Sequence, residues 1–136
     1  MQLEQKIVEL IDAPNICVLG TTGPGVWPHA MPMWYLFEDG EFIFTCKEKA
    51  QKRKNVERHG KATVVIDQRD PPYYAAALRG EARVGPPLTT DQWLRLAMRY
   101  LDEETARTYA SRKNWESITI RVRPTKLIEF NGIDIA

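Results

Sequence analysis

A chain of 136 residues is long enough for one hydrophobic core and short for two, so it reads as a single domain over 1–136. With 43% hydrophobic and 27% charged residues it has the composition of an ordinary globular protein; no apolar run approaches the ~20 residues of a membrane span, and the opening MQLEQKIVELIDAP has no signal-peptide core. The expectation is a cytoplasmic protein with no membrane partner, and a net charge of +1 gives it no general field for nucleic acid.

Leu3, Ile7, Leu10 and Ile11 recur at helical spacing until Asp12-Ala13-Pro14 closes the pattern, predicting an amphipathic helix over about 2–12 that lies across a sheet. NICVLGTT, GVWPHAMPMWYLFED and GEFIFTC follow, separated by the turn signals GPG and EDG, and read as a three-stranded meander. In the second of these both alternation classes are apolar, so both faces are expected to be covered, one of them by something other than the chain's own core. Pro28 and Pro32 cannot donate to a ladder and point to an edge, a bulge or an exposed rim.

The charge is unevenly placed. Between Lys47 and Lys61 seven basic residues stand against Glu48 and Glu57, a local balance of +5 that leaves the remainder at −4 and points to a small anionic ligand. Within this block Ala50 to His59 reads as a short helix stopped by Gly60. KATVVID and YYAAALRGEARV are two more strands, joined by QRDPP. LTTDQWLRLAMRYLDEETARTYASRK carries Trp93, Leu96, Ala97, Tyr100 and Leu101 on one helical face behind a Thr or Asp cap, with a second helical piece from Glu103 to about Ser111. SITIRVRP, and KLIEF after Pro124, end the pattern as strands. Six or seven strands with inserted helices predict a mainly β chain folded as a closed or partly closed antiparallel barrel.

The chemistry is not carried by obvious side chains. His29, His59, Cys17 and Cys46 show no metal-ligand spacing, and the cysteines read as free buried thiols. Cys46 shares an alternation class with Phe42 and Phe44, Ser111 and Ser117 flank a polar loop without an adjacent base, and His29 reads as a satisfied structural histidine. A bound cofactor fits better: a planar ring on the strand of Met33 and Trp34, an anionic tail on the lysine helix, and the Thr45 hydroxyl beside it. The same aromatics could equally serve as core or dimer interface, and the lysines as a solvated face. A hairpin between the second and third strands would make ring bed and phosphate site neighbours.

The ordered series VLGTTGPGVWPHAMPMWYLFEDGEFIFTC, KAQKRKN, KATVVID, PPYYAAALRGEARV and ITIRVRPTKLIEFNG resembles the pyridoxamine 5′-phosphate oxidase-like split-barrel superfamily, in particular its flavin- and deazaflavin-dependent oxidoreductases. The resemblance implies a six-stranded antiparallel split β-barrel that forms a homodimer, with one flavin mononucleotide (FMN) or deazaflavin coenzyme factor 420 (F-420) per subunit at the interface. By position in the motifs, Pro32, Met33 and Trp34 would line the ring, while Thr45, Lys47, Lys52 and Asn55 would hold the ribityl chain and phosphate. Lys54 and Val56 stand where relatives carry arginine and leucine, and HGK where they carry DPR, which leaves His59 without a role. The further lysines Lys49 and Lys54 suit the anionic tail of F-420, and the order of motifs looks more like the deazaflavin-using members. The implied activity is hydride transfer between cofactor and a small conjugated or heteroaromatic substrate walled by Trp27 or Tyr74, with no obligate catalytic side chain. The alternatives are a non-enzymatic haem or flavin carrier, with His29 or His59 as axial haem ligand, and a single-stranded nucleic-acid binder. The last is disfavoured because the aromatics precede the charge instead of interleaving with it.

Overall fold

The computed structural model describes residues 1–112 and 117–131. In chain order its elements are α1 (Gln5–Asp12), β1 (Cys17–Thr22), β2 (Pro28–Met33), β3 (Leu36–Glu38), β4 (Glu41–Lys47), α2 (Gln51–His59), β5 (Lys61–Asp67), β6 (Ala75–Gly85), α3 (Thr90–Tyr100), α4 (Glu103–Ser111) and β7 (Ser117–Phe130). Most of the polar loop between Ser111 and Ser117 lies outside the described residues.

The strands form one antiparallel sheet in the order β2-β1-β5-β6-β7-β4-β3. Its two edges, β2 and β3, are halves of one apolar run with only Trp34 and Tyr35 between them. A chain that leaves one edge and enters the opposite edge two residues later requires the sheet to curl until those edges approach, and the result is a split barrel. The strand count, seven, falls within the expected six or seven, but the second predicted strand is divided and the last two are joined. Alternation could not show the division, since the pattern is apolar on both faces either side of the break.

This corrects the predicted meander. The third predicted strand, β4, pairs with β3 through Leu36↔Ile43, Phe37↔Phe42 and Glu38↔Glu41, whereas β2 pairs along its whole length with β1. The end of β4 and the start of β2 therefore share no ladder, and the hairpin argument for a common ring and phosphate site fails. The cause is Tyr35, which is fully buried and donates its hydroxyl hydrogen bond to the Ile11 carbonyl at 2.7 Å, turning the chain from one edge to the other. Pro28 and Pro32 do sit on an edge strand, as expected.

SITIRVRP and KLIEF also differ from expectation by forming one strand of 14 residues. Pro124 is tolerated there because the β4–β7 ladder ends at Phe42↔Val122, so beyond that point one side of β7 has no partner to disappoint. A register shift at Arg79/Gly80 brings the backbones close. A Cβ on Gly80 would lie 2.0 Å from the Arg123 carbonyl oxygen, so only glycine fits.

Leu19, Phe42, Phe44, Val64, Ile66, Leu78, Ile120 and Val122 fill the barrel. α1 adds Ile7, Leu10 and Ile11 at one end of it and α2 adds Val56 at the other. β5 spans the two: its first residue, Lys61, follows directly from α2, while its last turn pairs with the part of β6 joined to Glu129, the ion-pair partner of Lys6 in α1. On the outside, α3 and α4 cover Leu36 and Ile43 with Trp93, Leu96 and Ala110. α3 begins with a capping box between Thr89 and Gln92, and α4 with the Asp102 carboxylate on the Thr105 amide. Cys17 and Cys46 are free thiols packed on the core.

Candidate functional site

α2 sits where the sheet is open. β4 has a β3 partner only as far as Ile43, and the far edge of β2 has none, so Phe44–Lys47 and β2 flank the split. Three residues after β4 the helix begins, and it ends at Gly60, whose φ of 66° allows its amide to donate to the Val56 carbonyl at 2.8 Å. Asn55, 3% exposed, pins the helix to β1. Its Nδ2 donates to Thr21 Oγ1 at 3.0 Å, and its Oδ1 accepts from Gln51 Nε2 at 2.7 Å. Both ends of the Asn55 amide are thus engaged inside the chain.

Lys52 is half-buried and Lys47 exposed, and neither takes part in an ion pair among the described residues. Arg53, by contrast, is matched to Glu57 at 2.7 Å. Burial raises the Cys46 thiol above its ordinary range, while the Lys52 and Arg53 charges oppose that rise. Lys52 therefore lies beside the end of β4, where Thr45 and Lys47 also stand. The Thr45 hydroxyl oxygen is buried and has no hydrogen-bond partner among the described residues.

On β2, His29 is paired in register with Thr21, which is itself bonded to Asn55. Its Nδ1 is buried and likewise without a partner among the described residues. The expectation of a satisfied structural histidine is therefore not met. Buried polar atoms in folded proteins are almost always hydrogen-bonded, so each orphan has the character of a group waiting for a ligand. The two stand on different faces, Thr45 in the outward alternation class of Ile43 and Lys47, and His29 opposite the buried Thr21 on the core side.

The three residues assigned to the ring do not form one bed within a chain. Met33 packs on the core, Pro32 stands exposed on the opposite face beside Val18, and Trp34 stacks on Tyr100 with centroids 4.7 Å apart and 14° between planes. Alternation separates the first two, and the turn at Tyr35 sends the third toward α3.

Trp27, 78% exposed, overhangs a groove of about 640 Å³ on the outer sheet face, lined also by Gly20, Ala30, Thr63, Arg79 and Lys126. Tyr74 is buried outside that groove, with Lys6 Nζ 4.8 Å from its ring centroid. Along β6 the two regions are about six residues apart, roughly 20 Å at 3.3 Å per residue. Arg79 and Lys126 are brought side by side only by the β6–β7 register, which strand patterns in the sequence do not reveal. Among the described residues no three His, Cys, Asp or Glu side chains gather as a metal site, and no helix is long and apolar enough to cross a membrane.

This architecture, a curled antiparallel sheet split beside a basic helix, defines a class of split-barrel proteins. Residues 3–129 match the family model of pyridoxamine 5′-phosphate oxidase, and the chain belongs to that family. No curated protein matches it at a significant level. Among solved structures, a conserved hypothetical protein from Mycobacterium tuberculosis is similar with a TM-score of 0.79 at 20% identity, covering 98% of this chain and 87% of its own. An F-420 reductase has a TM-score of 0.75 at 25% identity, covering 93% and 98%. The haem storage protein HutZ of Vibrio cholerae has a TM-score of 0.70 at 13% identity, covering 98% and 99%.

Proposed function

We propose that the protein is an oxidoreductase that holds a flavin-type cofactor, F-420 or FMN, with its phosphate at the α2 end of the split. The observation that carries this reading is the orphaned buried Thr45 Oγ1 on the end of β4 that also bears Lys47, beside a helix whose Lys52 has no ion-pair partner among the described residues. A phosphorylated ribityl chain offers oxygens to the Thr45 hydroxyl and an anion to Lys47 and Lys52, so these residues fit the group. When bound, the ring of such a cofactor supplies hydride transfer. The side chains bind and orient it and keep water from its inner face.

The reading includes a homodimer. Pro32, Val18, Val65, Ala77 and Ile128 follow one another across β2, β1, β5, β6 and β7 in register, making an apolar row on the outer face. Val18 and Val65 are each 37% exposed and Ile128 41%. A second copy on this row would cover the outer side of β2, the cover that its doubly apolar sequence demands, and a substrate would then stack on the ring near Trp27 or near Tyr74 of the neighbouring copy. Likeness to an F-420 reductase at 25% identity supports the deazaflavin choice.

Titration with FMN, F-420 and haem in parallel tests the reading. Quenching of flavin or deazaflavin fluorescence at micromolar cofactor, with dimer-sized elution, is expected. A Soret band with no flavin uptake would replace the oxidoreductase by a haem carrier, the reading that the likeness to HutZ and the free His29 nitrogen would then favour.

A further inference from the structure

α2 presents a second cationic face. Beyond Asn55, a pocket of about 430 Å³ opens between the helix and the β1–β2 turn, lined by Thr22, Gly23, Pro24, Gly25, Gln51, Lys54, Asn55, Arg58 and His59. Lys54 and Arg58 are one helical turn apart, so like charges are held on the same face, an arrangement that disfavours the helix unless an anion lies between them. Neither they nor His59 take part in an ion pair among the described residues, whereas their neighbours Arg53 and Lys61 are matched to Glu57 and Glu81. The opposite wall is Gly23-Pro24-Gly25. It is held in a tight turn by Gly23, where a Cβ would lie 2.5 Å from the Trp27 carbonyl oxygen, and Gly25 turns at a φ of 68°. The wall therefore offers backbone and no competing carboxylate.

We infer that this pocket is a second anion site, separate from Lys52, which takes a carboxylate or phosphate group on Lys54, Arg58 and His59. The anion has two sources: the distal tail of a long-tailed cofactor, in which case the inference rests on the function proposed above, or a free small anion. Three features select an anion in either case: uncompensated cations, room for several heavy atoms, and no acid in the lining.

The test compares wild type, Lys54→Gln/Arg58→Gln and Lys52→Ala with three probes: FMN, F-420 with its glutamyl tail, and inorganic phosphate. The chain has two histidines, so imidazole ¹H–¹³C resonances report His59 with His29 as internal reference. If the tail is the source, the double variant binds F-420 about tenfold more weakly and FMN as wild type does, while Lys52→Ala weakens both. If the source is a free anion, phosphate shifts the His59 resonances of wild type and not those of the double variant, and the two cofactors bind the double variant unchanged. A double variant with an unchanged melting temperature that equals wild type with all three probes overturns the second site, even if Lys52→Ala loses cofactor. Wild type that takes up neither cofactor but still shows the phosphate shift rejects the cofactor reading and keeps the pocket.

Discussion

The two ends of the barrel are closed in opposite ways. At the α1 end the last carbonyls of the helix are taken up by partners: Tyr35 donates to Ile11 at 2.7 Å and Ala13 at 3.3 Å, and Arg99 to Ile11, Asp12 and Ala13 at 3.1–3.3 Å. Tyr100 donates to the Asn15 carbonyl at 2.9 Å, and a guanidinium at a helix C-terminus also answers its dipole. Away from the α1 end, at the level of Arg123, Glu81 and Lys61 in the sheet, Glu41 is bonded by Arg83 at 2.8 and 3.0 Å and approached by Arg123 at 3.5 Å. The Tyr74 hydroxyl and Arg99 Nε are left over at the α1 end, as many orphans as elsewhere in the barrel among the described residues, so the ends differ in charge compensation and not in orphan count. At the α2 end the cations Lys47, Lys52, Lys54 and Arg58 take part in no ion pair among the described residues, and the buried Thr45 hydroxyl beside Lys47 has no hydrogen-bond partner among them. A satisfied end is structural. An end that leaves its cations without acids is arranged around an anion the chain does not itself contain.

The largest effect that separates the ends is expected from Ile11→Ala, a fully buried truncation at the sealed end. It should cost about 2–5 kcal/mol in chemical denaturation. Cofactor affinity of the folded fraction should stay at the wild-type value; a parallel loss of affinity would mean that the ends are not independent. Lys52→Ala should do the reverse, weakening cofactor binding by about 1.5–3 kcal/mol, the range for a charged hydrogen bond, with the melting temperature of the cofactor-free protein unchanged. A stability loss equal to the affinity loss would make Lys52 a structural residue.

The fold was largely legible because its elements carry local signals: Gly60 as a helix stop, the Thr89 cap, and prolines that belong on an edge. The division of β2 from β3 was not, since Tyr35 acts through a hydrogen bond 24 residues away in sequence, which no window of alternation contains. Within the site, the basic helix and Thr45 could be read as a charge block and a strand end. His29 could not, because its lack of a partner is a property of three-dimensional packing. Trp34 was assigned to the ring on pattern, but a tryptophan next to a chain reversal can face another layer, and here it meets Tyr100.

A smaller effect concerns pH. The hydrogen-bonded Arg83, with Arg123 and Arg121 nearby, holds the Glu41 carboxyl below its ordinary value despite its burial. A depressed folded value means that this stabilisation is complete above the usual carboxylate pKa of about 4.3 and is lost as pH falls through the lower folded value. Glu41→Gln should therefore cost on the order of 1.5 kcal/mol at pH 7 and flatten the acid limb of the melting-temperature profile. An unchanged limb would assign acid unfolding to other carboxylates. Smaller still, the Cys17 thiol, pushed up to about 12 by burial, should react with iodoacetamide at pH 8 only on unfolding. Rapid native labelling of Cys17 would show the sealed end to be open.

Amide hydrogen exchange with and without saturating F-420 tests the contrast between the ends most directly. Slower exchange is predicted along Thr45–His59 and β2, with Gln5–Asp12 unchanged. Protection gathered at α1, or none anywhere despite saturation, would contradict the assignment of the unsatisfied end as the cofactor site.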